Sequence, residues 1–172
     1  MRVSLRVNVI GSGPIFEGTT ALVEAAGCTL TKEAPLDLVI LANVLRILGK
    51  EEIAGPRLGV LCFHPSLLPR HRGSDSVYWT LKTGDRKAGV SWFWIDEGID
   101  TGPIAAQAAI AIDPAATSPK ELYYQRLVPL GLSLLQDLIA RLLDGERPSL
   151  VQDERLATFE PARPKKSKPA QA

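Results

Sequence analysis

The sequence predicts an α/β fold on a mostly parallel sheet, and three observations carry that reading. Val3, Leu5, Val7 and Val9 alternate with polar residues, the period-two signature of a strand. Residues 15–26 follow as a helical stretch stopped by Gly27. Two more apolar runs, residues 38–42 and 57–63, read as strands, and strands alternating with helical stretches argue a parallel sheet.

The remaining elements follow in order. Gly11-Ser12-Gly13 is the turn between the first strand and helix; its alternative role is to hold a phosphate, although Phe16 stands where a dinucleotide fingerprint has its third glycine. Gly73-Ser74-Asp75 opens a helix and Gly84-Asp85 closes it. Residues 90–95 form a strand with residues 105–112 as its antiparallel partner. Ser118, Pro119 and Glu121 make a helix opening of the capping-box type. Leu135, Leu138 and Leu142 mark one helical face, Gly145 ends it, and Pro129 is expected to kink or split this long segment. From Pro161 onward, prolines and Lys165, Lys166 and Lys168 predict a disordered tail, or else a basic tether. The organisation is thus one domain over residues 1–160 and a tail over 161–172.

Composition narrows the function classes. A chain of 172 residues fits one domain that buries roughly 70% of its unfolded surface without staples. The net charge of +1 offers no global field for nucleic acid or an anionic membrane. No apolar run approaches the roughly 20 residues of a membrane span, and Arg6 and Asn8 interrupt the N-terminus as a secretory signal. Two cysteines, Cys28 and Cys62, make neither a disulfide framework nor a metal spacing, so a reducing cytoplasm is the expected home.

Two blocks carry candidate chemistry. The first, Cys62-Phe63-His64-Pro65-Ser66-Leu67-Leu68-Pro69-Arg70-His71-Arg72-Gly73, comes directly off a strand, where open α/β sheets bind ligands. Pro65 biases His64 toward an extended backbone, and Cys62 and His64 share a face. A histidine held this way reads either as an acid–base group or as one that satisfies its own loop. Arg70, His71 and Arg72 read either as a grip for an anionic ligand or as a solvated loop. The second block, Asp96-Glu97-Gly98-Ile99-Asp100-Thr101-Gly102-Pro103, ends the 90–95 strand and offers a carboxylate to set beside His64. Trp92 and Trp94 read as core or interface, or as a stacking face for a ligand.

From about Leu38 to Phe159 the chain resembles the folate-dependent formyltransferases and formyltetrahydrofolate hydrolases. His64-Pro-Ser-Leu-Leu-Pro69 is similar to the family's histidine loop, Ile99-Asp-Thr-Gly102 to its aspartate loop, and Ala42 to Leu48 to the stretch that holds the pteridine ring. The resemblance implies a Rossmann-like three-layer fold, here shortened in its N-terminal half because only residues 27–37 separate the first helix from the strand at Leu38. It implies 10-formyltetrahydrofolate as formyl donor and a small amine or water as acceptor. His64 and Asp100 become the catalytic pair. Leu45, Arg46, Leu48 and the backbone of Ile95, Asp96 and Glu97 become the folate-binding set. Cys62 occupies the position where transferases of the family place an asparagine that donates to the formyl oxygen. A thiol is a weak donor, so Cys62 is a small buried residue, a catalytic thiolate, or the mark of a folate-binding module that has lost catalysis. A second copy pairing through an exposed Trp face is a further expectation.

Overall fold

A computed structural model describes residues 4–163. Its core is a six-stranded sheet of order β2-β1-β3-β4-β5-β6. In chain order the elements are β1 (Arg6–Gly11), α1 (Gly13–Ala25), β2 (Thr29–Leu30), β3 (Leu38–Ala42), α2 (Lys50–Ala54), β4 (Gly59–His64), α3 (Ser76–Lys82), β5 (Lys87–Trp94), β6 (Ile104–Ala111) and α4 (Val128–Leu143). The first four sheet neighbours pair parallel, whereas β4–β5 and β5–β6 pair antiparallel. The sheet is therefore mixed. The β5–β6 hairpin agrees with the sequence reading, but the antiparallel β4–β5 junction was not expected.

Alternating side chains divide the two faces of the sheet. Leu38, Ile40, Leu61 and Phe63 join Trp92, Trp94 and the apolar stripe of α4 in the main core. Val39, Leu41 and Val60 make a smaller cluster on the other face, covered by Val44, Leu48, Cys62 and Ile95. Trp92 and Trp94 are fully buried, and their indole N–H groups donate to the carbonyls of Gly131 (2.8 Å) and Pro148 (2.7 Å). They belong to the core; the stacking face and the Trp-mediated pairing of two copies both lose their basis.

Two departures from expectation, and the expected break at Pro129, have physical causes. The N-terminal half retains a second strand, because residues 29–30 extend β1 by two parallel pairings, too short a run to leave a periodic signal. Ahead of Pro129 the chain takes π-helical turns over Glu121–Leu127, with Val128 N–H donating to the Tyr123 carbonyl, before the regular helix begins. Proline removes the N–H that would close the α-helical ladder onto residue 125, so α4 starts with Pro129 in its first turn. Finally, the first residues assigned to the tail are held against the domain. Trp79 Nε1–H donates to the Pro161 carbonyl, and Arg163 pairs with Asp75. Residues 164–172, with Lys165, Lys166 and Lys168, lie outside the described residues.

Candidate active site

The C-terminal end of β4 delivers His64, and the loop after β5 delivers Asp100. His64 is 6% exposed, and its Nδ1 lies 3.6 Å from Asp100 Oδ2. Its Nε2 lies 2.8 Å from the backbone carbonyl of His71. A carbonyl only accepts, so Nε2 is the protonated nitrogen and Nδ1 is the one that faces Asp100.

Each residue of the pair is held by a frame of buried polar groups. Ser91 Oγ–H donates to the Ser66 carbonyl (2.7 Å) and accepts from Leu68 N–H, while Ser66 Oγ–H donates to the Arg70 carbonyl. Gln107 reaches from β6 to the Leu68 carbonyl and to Ser91. These bonds pin the histidine loop onto β5 and β6. Asp100 adopts a left-handed backbone (φ 54°) and accepts the Gly73 N–H at 2.7 Å. Gln152 donates its side-chain amide to the carbonyls of Asp100 (2.8 Å) and Gly102 (2.7 Å) and accepts from Arg72. Gly102 cannot carry a side chain here, since a Cβ would fall 1.7 Å from the Trp94 carbonyl oxygen. Thus one buried glutamine joins the two loops, and no sequence motif marks it.

A cavity of about 450 Å³ opens in front of the pair, within the range of small-molecule sites. Cys62, His64, Asp100 and Tyr78 line it, with the 43–47 stretch on one side and Tyr123 and Tyr124 on another. Of the expected folate-binding residues, Leu45 and Arg46 line the cavity. Leu45 and Ile47 are 84% and 82% exposed, an unusual display of apolar surface beside a cleft. Leu48, Ile95, Asp96 and Glu97 do not line it. Leu48 and Ile95 pack into the layer beneath. Asp96 is turned back on its own loop, accepting from Gly98 N–H and Thr101 Oγ–H, and Glu97 pairs with Lys50 at 3.1 Å. Short polar side chains in tight turns satisfy local backbone first, so the Asp96 side chain is taken up within its own loop.

Cys62 is half-buried beside the cavity, and its thiol donates to the Phe63 carbonyl at 3.6 Å. Burial and then the Asp100 carboxylate push the thiol far up from its ordinary range. A thiolate nucleophile needs the opposite environment, so the nucleophilic reading of Cys62 is withdrawn. Arg70, His71 and Arg72 are neither a ligand grip nor a solvated loop. Arg70 forks onto Asp85, Arg72 onto Glu154 and Gln152, and His71 is 2% exposed between Asp85 and Glu160. The glycine turn at residues 11–13 packs on the end of β3, where Ser12 N–H donates to the Ala42 carbonyl, and it does not line the cavity.

Comparison with known proteins decides the family. The formyl transferase family profile matches residues 17–139. The chain belongs to the formyl transferase family. Human mitochondrial 10-formyltetrahydrofolate dehydrogenase is 39% identical over 124 residues, covering 72% of this chain and 13% of that protein. Methionyl-tRNA formyltransferase of Dehalococcoides mccartyi is 41% identical over 123 residues, covering 72% of this chain and 38% of that protein. The chain therefore spans well under half the length of these relatives. Among solved structures, HypX from Aquifex aeolicus in complex with tetrahydrofolic acid superposes with a TM-score of 0.80 at 14% identity, over 93% of this chain and 30% of that one. Phosphoribosylglycinamide formyltransferase from Bacillus halodurans gives 0.67 at 23% identity, over 80% and 95%. At those identities the likeness establishes the Rossmann-like formyltransferase fold. No described helix is long and apolar enough to cross a membrane.

Proposed function

We propose that this chain is a cytoplasmic enzyme that takes the formyl group from 10-formyltetrahydrofolate and passes it to water or a small amine. The observation that carries the proposal is the His64–Asp100 pair, 3.6 Å apart at the back of an open cavity. The pteridine ring lies against the exposed apolar stretch around Leu45 and Arg46. Attack on the formyl carbon creates an oxyanion, and the N10 nitrogen of the folate must leave with a proton. His64 Nδ1 takes the proton that the attacking water or amine gives up and passes it to N10 as the C–N bond breaks, and Asp100 balances the imidazolium in between. General acid–base help of this kind contributes about 10² to 10⁴ in rate.

Cys62 bears on the choice of acceptor. Its thiol is spent on the Phe63 carbonyl, so it offers no donor to a formyl oxygen. Loss of one such donor costs about 10² to 10³ in rate. That deficit favours slow hydrolysis over rapid transfer, and it also motivates a second reading, a folate-binding module without turnover. The experiment is to mix the protein with 10-formyltetrahydrofolate and follow tetrahydrofolate formation with and without amines. Turnover that vanishes in His64→Ala supports the enzyme. Intact folate binding without turnover, with activity appearing in Cys62→Asn, establishes the binding module instead.

A further inference from the structure

The second histidine has no place in the mechanism above, yet it is the more deeply buried of the two. His71 has a left-handed backbone (φ 57°), a conformation that strains a non-glycine residue. Its ring Nδ1 lies 2.8 Å from Glu160 Oε1 and its Nε2 3.0 Å from Asp85 Oδ2. Only a doubly protonated imidazole has a donor for each. The other oxygen of Glu160 is buried without a hydrogen-bond partner, so the ring is its nearest compensation. Arg70 forks onto Asp85 from the opposite side. The backbone is clamped as well: His71 N–H donates to Thr158 Oγ at 2.8 Å, and Arg72 N–H to the Thr158 carbonyl at 3.0 Å.

What this clamp presents is one group, the His71 carbonyl, 2.8 Å from His64 Nε2. We infer that His71 is a positioning residue, whose ring, fixed between Asp85 and Glu160, holds its carbonyl where it selects the Nε2–H tautomer of His64. The inference rests on the formyl-transfer reading for its catalytic consequence but not for its structural one. With the ring unclamped, only the two bonds to Thr158 hold the strained peptide at residue 71, and its carbonyl is free to turn away from His64. Either tautomer is then open to His64, and Nδ1 no longer has a defined role in front of Asp100. In Ser–His–Asp enzymes the wrong tautomer costs about 10⁴ in kcat. Partial loss of the preference should cost less, about ten- to a hundredfold.

The chain has two histidines, which makes the test direct. Long-range proton–nitrogen spectra of the full chain labelled with ¹⁵N-histidine give one pattern for each ring, assigned with His64→Ala. Wild type is expected to show neutral His64 protonated at Nε2. In Glu160→Ala, which takes the acceptor away from His71 Nδ1, and in His71→Asn, which tolerates the left-handed backbone but cannot span both carboxylates, His64 should become a mixture of tautomers. In both, kcat should fall about ten- to a hundredfold while KM stays within threefold. Should His71→Asn fail to give a folded circular dichroism spectrum, Glu160→Ala decides alone. An unchanged His64 pattern in the folded variant overturns the inference, as does a wild-type ring protonated at Nδ1, or a tautomer change with unaltered kcat. If the wild type does not turn over formyltetrahydrofolate, the spectra still decide the positioning claim, and only the reading of the reaction fails.

Discussion

Replacing Asp100 by asparagine isolates the charge of the candidate pair from its geometry. The oxygen 3.6 Å from His64 Nδ1 is also the one that accepts the Gly73 N–H. An amide oxygen can take over that bond, so the two loops stay joined while the negative charge disappears. Two unit charges 3.6 Å apart in a medium of effective dielectric about 20 attract by roughly 4–5 kcal/mol. The Asp100 side chain is 18% exposed, so solvent screening leaves about 3 kcal/mol for an imidazolium formed during reaction. At about 1.4 kcal/mol per decade, Asp100→Asn should lower kcat by about 10² with KM nearly unchanged. The assay is the absorbance change on conversion of 10-formyltetrahydrofolate to tetrahydrofolate, with folate affinity measured separately by calorimetry. A kcat within threefold of wild type, at unaltered affinity, refutes the assignment of Asp100 as the charge partner of His64.

Further outcomes are expected. Because burial and Asp100 raise the Cys62 thiol, iodoacetamide at pH 8 should label the native protein far more slowly than the urea-unfolded chain; equal rates would show a thiolate. Trp92→Phe strips the Gly131 carbonyl of its indole donor and leaves a void behind Phe63, so urea unfolding should report a loss of about 2–4 kcal/mol. Asp85 is held below the ordinary carboxylate range: burial opposes this, but its hydrogen bonds from His71 and Arg70 outweigh it. A depressed folded value means the stabilisation is complete above the unfolded aspartate value of about 3.9 and is lost as pH falls below it. The urea midpoint should therefore fall more steeply between about pH 5 and 3 in wild type than in Asp85→Asn, and parallel pH profiles would remove Asp85 from the acid response.

Much of the fold was legible because it rests on apolar periodicity. The run at residues 38–42 is fully buried in β3, and the leucines at 135, 138 and 142 all reach the core. His64 and Asp100 were legible because a strand end followed by a proline- or glycine-rich loop has few alternative geometries. Charged residues were not. Nothing in Arg70-His71-Arg72 indicates that its partners stand 14 to 89 positions away, because an ion pair leaves no period in the sequence. Gln152 was invisible for the same reason: its bonds to Arg72, Asp100 and Gly102 depend on a chain reversal that no local pattern encodes. The fate of the Asp96 side chain was hidden too, since an acidic group in a glycine-rich loop looks open to a ligand until the turn claims it.

The bond between His71 and Glu160 spans 89 positions of the chain, and that separation is also an interval of time. A ribosome adds about 5–20 residues per second, so His71 is made roughly 5–20 s before its second carboxylate exists. During that interval the histidine loop can pair with β5 and β6 but cannot be clamped from behind. His64 thus acquires its fixed orientation only after residue 160 has been made, and a nascent chain stalled before Thr158 would carry a folded sheet with an unset site.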